Sequence, residues 1–233
     1  MNARNLVNAC VAFLKTVRAV YGVYFDGSRG FNLVYRQQLD IRDWLIHTQG
    51  YDGETADAIA FKYGHGDPES PDAITLHSVS HGELTDRNLR GGENWIFLAN
   101  VCLVSIYQYW EDRYRGEIAA AWDKQKDDVR VPIMGDLRHY RHSIIHRAGF
   151  AVPEVARCEV IRWFDPGERI ELTEEHMRTL MFRISEGLVE LLQQADDGTG
   201  EIMEFLRQYT EDTGQGDYGF PRKEGDGPSK ERS

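Results

Sequence analysis

The stretch GGENWIFLANVCLVSIYQYWEDRYRGEIAAAWDKQ, from Gly91 to Gln125, constrains the fold most. Ile96, Leu103, Tyr107, Trp110, Tyr114 and Ile118 recur at steps of three or four, or sums of these, the period of one helix face. From Trp95 to Tyr107 the apolar character is nearly continuous. A helix carries that only when neighbours surround it, as at the centre of a bundle. The chain supplies such neighbours. Residues 3 to about 24 place Leu6, Val7, Cys10, Phe13, Leu14, Val17 and Val20 at helical spacing, and the two glycines of FDGSRG are predicted to end that helix. A weaker helix is predicted over Arg36 to Thr48, burying Leu39, Trp44 and Leu45.

A further helix is predicted from Pro132 to Ala148, with proline suited to a first turn and Gly149 to the stop. In RCEVIRWFDPGERIELT the period changes. Cys158, Val160 and Trp163, then DPGE, then Ile170 and Leu172 read as a β-hairpin. LTEEHMRTLMFRISEGLVELLQQA is an amphipathic helix with Thr173 as cap and His176 at the capping-box position, where Glu is the ideal residue. Residues 198 to about 211 add a short helix, and Gly214 onward reads as a disordered tail. Gly50 to Gly92 is rich in Gly, Pro, Asp and Ser and shows no clear period; a connection this long is often functional when ordered. The expected architecture is an all-α helical bundle with a small β-hairpin inserted before the last bundle helix. Its expected segments are 1–92 (N-terminal helices plus the irregular segment), 93–213 (the helical domain) and 214–233 (the tail).

The 233 residues are ample for a core, and their net charge of -11 argues against broad coating of nucleic acid. The acidity is uneven: residues 1 to 50 carry six Lys or Arg against three Asp, which leaves room for a local anion site. Cys10, Cys102 and Cys158 are odd in number and form no CxxC pair, as expected of reduced thiols. The first 22 residues lack the layout of a secretory signal, and no run of about 18 apolar residues is found. A cytoplasmic location, with no membrane and no cofactor, is expected.

Against that acidity, GDLRHYRHSIIHRAG, residues 135 to 149, holds three histidines and three arginines. Ile133, Leu137, Tyr140, Ile144 and Ala148 form an apolar stripe, leaving Arg138, His142 and Ile145 on another side. Arg141 and His146 lie about 140° apart around the axis at 100° per residue. Their convergence requires either the long reach of Arg141 or a second copy of the helix. Three readings compete. A solvated face fits poorly, because no Lys or Glu stands between Leu137 and Arg147. A metal site finds His142 and His146 at chelating spacing but lacks a carboxylate or cysteine partner. Phosphate chemistry uses Arg as a fixed cation and His as a proton donor or acceptor near neutral pH.

RHSIIH, Arg141 to His146, resembles the R-x4-6-H signature of the HEPN superfamily, with His142 at the position more often Asn. The preceding GDLRHYR, the following RAG and the upstream YQYWEDRYRGEIA extend the likeness over roughly residues 93 to 192. The resemblance implies a metal-independent RNase of toxin or phage-defence type, acting as a homodimer whose two motif helices meet. It implies RNA as substrate and an antitoxin or defence-system partner. By the same resemblance His146 is the general acid or base, Arg141 stabilises the phosphoryl oxygens and His142 orients the phosphate or His146. Arg138 and Arg147 are expected to bind RNA phosphates or to sit at the dimer rim.

Glu111 and Arg115 form either an ordinary i,i+4 ion pair or a support that orients the motif helix. Tyr107 and Trp110 are expected in the core, and His65, His77 and His81 are read as non-catalytic. Two other functions stay open: a catalytically silent HEPN-type binding or scaffold module, and a nucleotide-binding sensor closed by residues 50 to 92.

Overall fold

The computed structural model describes residues 1–67, 70, 72–196, 198 and 200–212, without the side chains of 208–212. The tail expected from Gly214 lies outside the described residues. The described chain is mostly helical, with one two-stranded antiparallel ribbon. In order it forms α1 (Ala3–His47), α2 (Gly53–Ala58), β1 (Ala60–His65), β2 (Ile74–Ser80) and α3 (His81–Asn88). Then follow α4 (Glu93–Tyr109), a π-helical turn (Trp110–Tyr114), α5 (Arg115–Trp122), α6 (Pro132–His146), α7 (Glu174–Ala195) and α8 (Glu201–Asp212).

The chain divides into two compact units: Met1–Gly22 with the described residues from Asn100 on, and Val23–Ala99. The first unit therefore takes in the start of the chain, which the sequence reading groups with the irregular segment. Its core is built from Leu6, Phe13 and Leu14 of α1, Leu103 and Ile106 of α4, Leu137 and Tyr140 of α6, and Leu180, Ile184 and Leu188 of α7, all buried. By length and composition alone, one stretch of α1 is long and apolar enough to cross a membrane. Its stripe of Leu6, Val7, Cys10, Phe13, Leu14 and Val17 is packed in this core.

Two expected elements need correction. FDGSRG does not end a helix, because α1 runs unbroken through Gly22, Gly27 and Gly30. A helix-interior glycine costs only about 1 kcal/mol relative to alanine, and Gly27 has a packing reason. A Cβ there would meet Leu98 Cδ2 at 2.6 Å, so its absence lets α1 and α4 approach within the second unit. No strands form in residues 158–172. The DPGE turn does form, with Glu168 N–H donating to the Asp165 carbonyl at 3.0 Å and Gly167 at φ +89°. Only its second arm pairs, however, and it does so with Gly149–Ala151 through a single bridge, Phe150 to Arg169.

The ribbon stands instead within Gly50–Gly92, the segment that shows no clear period. Ala60 pairs with Ser80 and Tyr63 with His77, and the register shifts between Tyr63 and Gly64. Gly64 lies so close to the Ile74 carbonyl that a Cβ would meet it at 1.9 Å. Of both strands only Val79 is buried, so no alternation of inward apolar and outward polar residues could announce them.

The central helix also deviates. Ile106, Trp110, Tyr114 and Ile118 are buried at successive steps of four, which drifts about 40° per step on a regular α-helix. The wider π turn at Trp110–Tyr114 takes up that drift and keeps the stripe inward.

Candidate functional site

α6 carries two chemically distinct faces. Inward, Ile133, Leu137 and Tyr140 are buried as predicted, Ile144 is half-buried and Ala148 is exposed. Three polar side chains beside that stripe hold the segment that follows the helix. The buried Asp136 carboxylate accepts from the backbone N–H groups of Glu159 (2.8 Å), Val160 (2.7 Å) and Ile161 (2.9 Å). The Tyr140 hydroxyl accepts from Trp163 N–H at 3.1 Å, and Ser143 Oγ accepts from Val152 N–H at 3.0 Å. These bonds use backbone donors that a strand ladder would need, which is why the expected hairpin is absent. Burial, reinforced by Asp136, pushes the neighbouring Cys158 thiol up to about 12. All three cysteines are free and buried.

Outward, Arg141 Nη1 lies 3.2 Å from His146 Nε2. A guanidinium can only donate, so Nε2 accepts and the ring proton of this tautomer sits on Nδ1. The long arginine side chain spans the 140° within one protomer, and no second copy is needed to join the pair. The angular argument for a dimer is thereby removed. The His142 and His146 rings lie one turn apart, centroids 5.0 Å, and are tilted at 45° to each other. Among the described residues Arg141 has no carboxylate partner, and its Nε is buried without an acceptor. His142, Ile145, His146 and Arg147 are exposed, with Arg147 at the C-terminal cap. No cluster of His, Cys, Asp and Glu suited to a metal ion occurs among the described residues.

Glu111 and Arg115 are paired at 3.1 Å and belong to a larger network. Lys126 Nζ reaches Glu111 at 2.8 Å, Arg115 Nη2 lies 3.6 Å from Asp127, and Arg115 Nε donates to the Val129 carbonyl at 3.1 Å. Burial alone would raise the Glu111 carboxyl, but the hydrogen bonds and charges of Lys126 and Arg115 outweigh it and hold the group below its ordinary value. Arg115 thus ties the central helix to the turn that leads into α6.

A groove of about 620 Å³ opens between this network and α6, lined in part by Tyr107, Glu111, Met134, Arg138, His139 and Arg157. Arg138 therefore faces the groove with Glu111 and Arg115, whereas Arg141, His142 and His146 lie outside its lining. Trp110 is in the core, 5.3 Å from Phe13 centroid to centroid. Tyr107 is half-buried on the groove wall and not in the core, because Ile106 takes the inward position. Burial raises its hydroxyl, as does Glu111, against the charges of Arg138, Arg115 and Arg141. Burial, then the Arg138 charge, lowers the His139 imidazole.

Sequence reasoning passed over Asp136, His139 and the groove. Asp136 had a signal, an acid directly beside an apolar helix position. The groove had none, since its lining comes from three separate stretches. Among the residues read as non-catalytic, His81 is fully buried with Nε2 at 3.0 Å from the Gln38 carbonyl, and His77 lies 3.1 Å from Arg87. No known protein family, curated protein or solved structure matches the chain.

Proposed function

We propose that the chain is a metal-independent endoribonuclease of HEPN type, a toxin or defence effector. One observation carries this reading. A half-buried arginine with no carboxylate partner among the described residues, in a protein of net charge -11, points its guanidinium at a histidine on an exposed face. An unpaired buried donor is costly, and a phosphate completes it with charge-assisted hydrogen bonds.

When an RNA phosphate arrives, Arg141 turns from Nε2 of His146 to the phosphoryl oxygens, where it stabilises the charge that builds up. His146 Nε2, freed, accepts the proton of the adjacent 2′-OH as its oxygen attacks phosphorus. The bond from phosphorus to the 5′-oxygen breaks, and the imidazolium returns the proton to that oxygen. The products are a 2′,3′-cyclic phosphate and a 5′-OH. His142 orients the phosphate, Arg138 and Arg147 hold flanking phosphates, and the Glu111–Arg115 network fixes the entry of α6. The reading includes a homodimer, with the exposed Ile145 and Phe150 beside the pair as apolar contact.

The test uses one RNA of mixed sequence in EDTA, beside a copy carrying 2′-O-methyl groups. The proposal expects the first to be cut and the second to resist. Cleavage only with added divalent metal defeats it and returns the protein to a binding module.

A further inference from the structure

Of the groove only Arg138 and the Glu111–Arg115 pair enter the steps above, yet the rest of its lining has the marks of a ligand site. Its volume of about 620 Å³ falls within the range of about 300–1,000 Å³ typical of small-molecule sites. Its formal charges balance, Glu111, Asp127, Asp136 and Glu159 against Arg115, Arg130, Arg138 and Arg157, but most of the acids already have partners, Asp127 lying 3.6 Å from Arg115. Glu111 is committed to Arg115 and Lys126, and Asp136 to three backbone N–H groups. Arg138 and Arg157 have no carboxylate partner among the described residues. Two arginines are thus left facing a groove that also has an aromatic wall, Tyr107.

Gly135 adds a separate observation. It sits inside α6 on the groove wall, exposed, and a Cβ there would meet nothing within 4 Å. No packing contact explains the helix penalty of a glycine at this place, whereas a flat wall for a planar ligand does. Tyr107 connects the groove to the chemistry, because the charges of Arg138, in the groove, and of Arg141, in the pair, both act on its hydroxyl.

We propose that the groove holds one nucleotide of the RNA strand beside the scissile phosphate, its base between Tyr107 and the flat wall at Gly135, its phosphate between Arg138 and Arg157. The inference rests on the ribonuclease reading for the identity of the strand. Base stacking on an aromatic wall is sequence-tolerant. His139, half-buried on the same wall, offers a ring that can donate and accept, and so supplies a preference among bases.

The test measures fluorescence anisotropy of a fully 2′-O-methylated RNA hexamer on the full chain, with free nucleoside monophosphates as competitors. Gly135→Leu fills the groove with a better helix former, and Arg157→Glu changes an exposed position, so both variants are expected to keep the wild-type melting temperature. Each is expected to weaken hexamer binding about tenfold, the scale of one stacked base, and to raise KM for unmodified RNA more than it lowers kcat. Free monophosphates are expected to compete only at far higher concentration. Wild-type affinity in both variants, no hexamer binding at all, or monophosphates binding as tightly as the hexamer overturns the inference. The two readings fail separately. Cleavage that needs Arg141 and His146 but ignores both groove variants removes the groove alone. Groove-dependent hexamer binding without cleavage of unmodified RNA removes the nuclease and retains the strand site.

Discussion

Asp136 keeps its carboxylate buried beneath α6 and gathers three successive backbone N–H groups of the segment after it. Asp136→Ala leaves those donors without an acceptor in a place water reaches poorly. The expected cost is roughly 3–5 kcal/mol, read from urea unfolding; a loss below about 1 kcal/mol would show that the segment holds itself. Arg141 and His146 behave in the opposite way. Neither belongs to the buried stripe of Ile133, Leu137 and Tyr140. Substituting either with Ala is expected to lower turnover by about 10² or more, with the melting temperature within a degree or two of the wild type. Collapse of the fold in these variants would instead assign them a structural role. Their contact also shows what a helical wheel leaves out: it fixes where Cβ points, and a side chain as long as arginine then reaches a residue five positions on, a third of the length of α6.

At the scale of elements, glycines separate positions that look alike in the sequence. Gly30 in α1 has open space where a Cβ would go, so Gly30→Ala is expected to stabilise by up to about 1 kcal/mol. At Gly187 in α7 a Cβ would meet Val131 Cγ1 at 2.8 Å and Ile133 Cγ2 at 3.2 Å. Those side chains are β-branched and stiff, and Gly187→Ala is expected to lose about 1 kcal/mol net of its helix propensity. Thermal melts of the two variants should move in opposite directions. The cap of α7 makes a pH prediction. Thr173 N–H donates to His176 Nδ1 at 3.1 Å, which needs the neutral ring. Burial lowers the imidazole from its ordinary value, with Glu175 opposing. The unfolded chain therefore takes up its proton first, so this stability is full above about pH 6.5 and is lost as pH falls below it. His139 acts in the same direction. His176→Gln keeps an acceptor without a titration, and its drop in melting temperature from pH 7.5 to 5.5 should be smaller than that of the wild type. An equal drop would exclude the cap as the source.

For the whole molecule, the helices were legible wherever a 3.6-residue period met a buried face, as in α1 up to Val20, α6 and α7. The ribbon Ala60–Ser80 was not, because most of its residues face outward and leave no alternation to read. The course of 159–163 was not, because it is set by Asp136, 23 to 25 positions before the N–H groups it holds, and by the Tyr140 hydroxyl. The Arg and His cluster stood out through composition against a net charge of -11, whereas the groove beside it required the fold. Because the Arg141–His146 contact is complete within one protomer, the proposed dimer has to be measured apart from the chemistry. Sedimentation at micromolar concentration is expected to give a dimer, and a fully active monomer would remove that part of the proposal.

The most direct measurement is mass analysis of the RNA ends left by purified protein in EDTA, wild type beside His146→Ala. The account predicts 2′,3′-cyclic phosphate and 5′-OH ends from the wild type and a loss of about 10² or more in their rate of formation from the variant. Ends bearing a 5′-phosphate, or unchanged cleavage by His146→Ala, would contradict it.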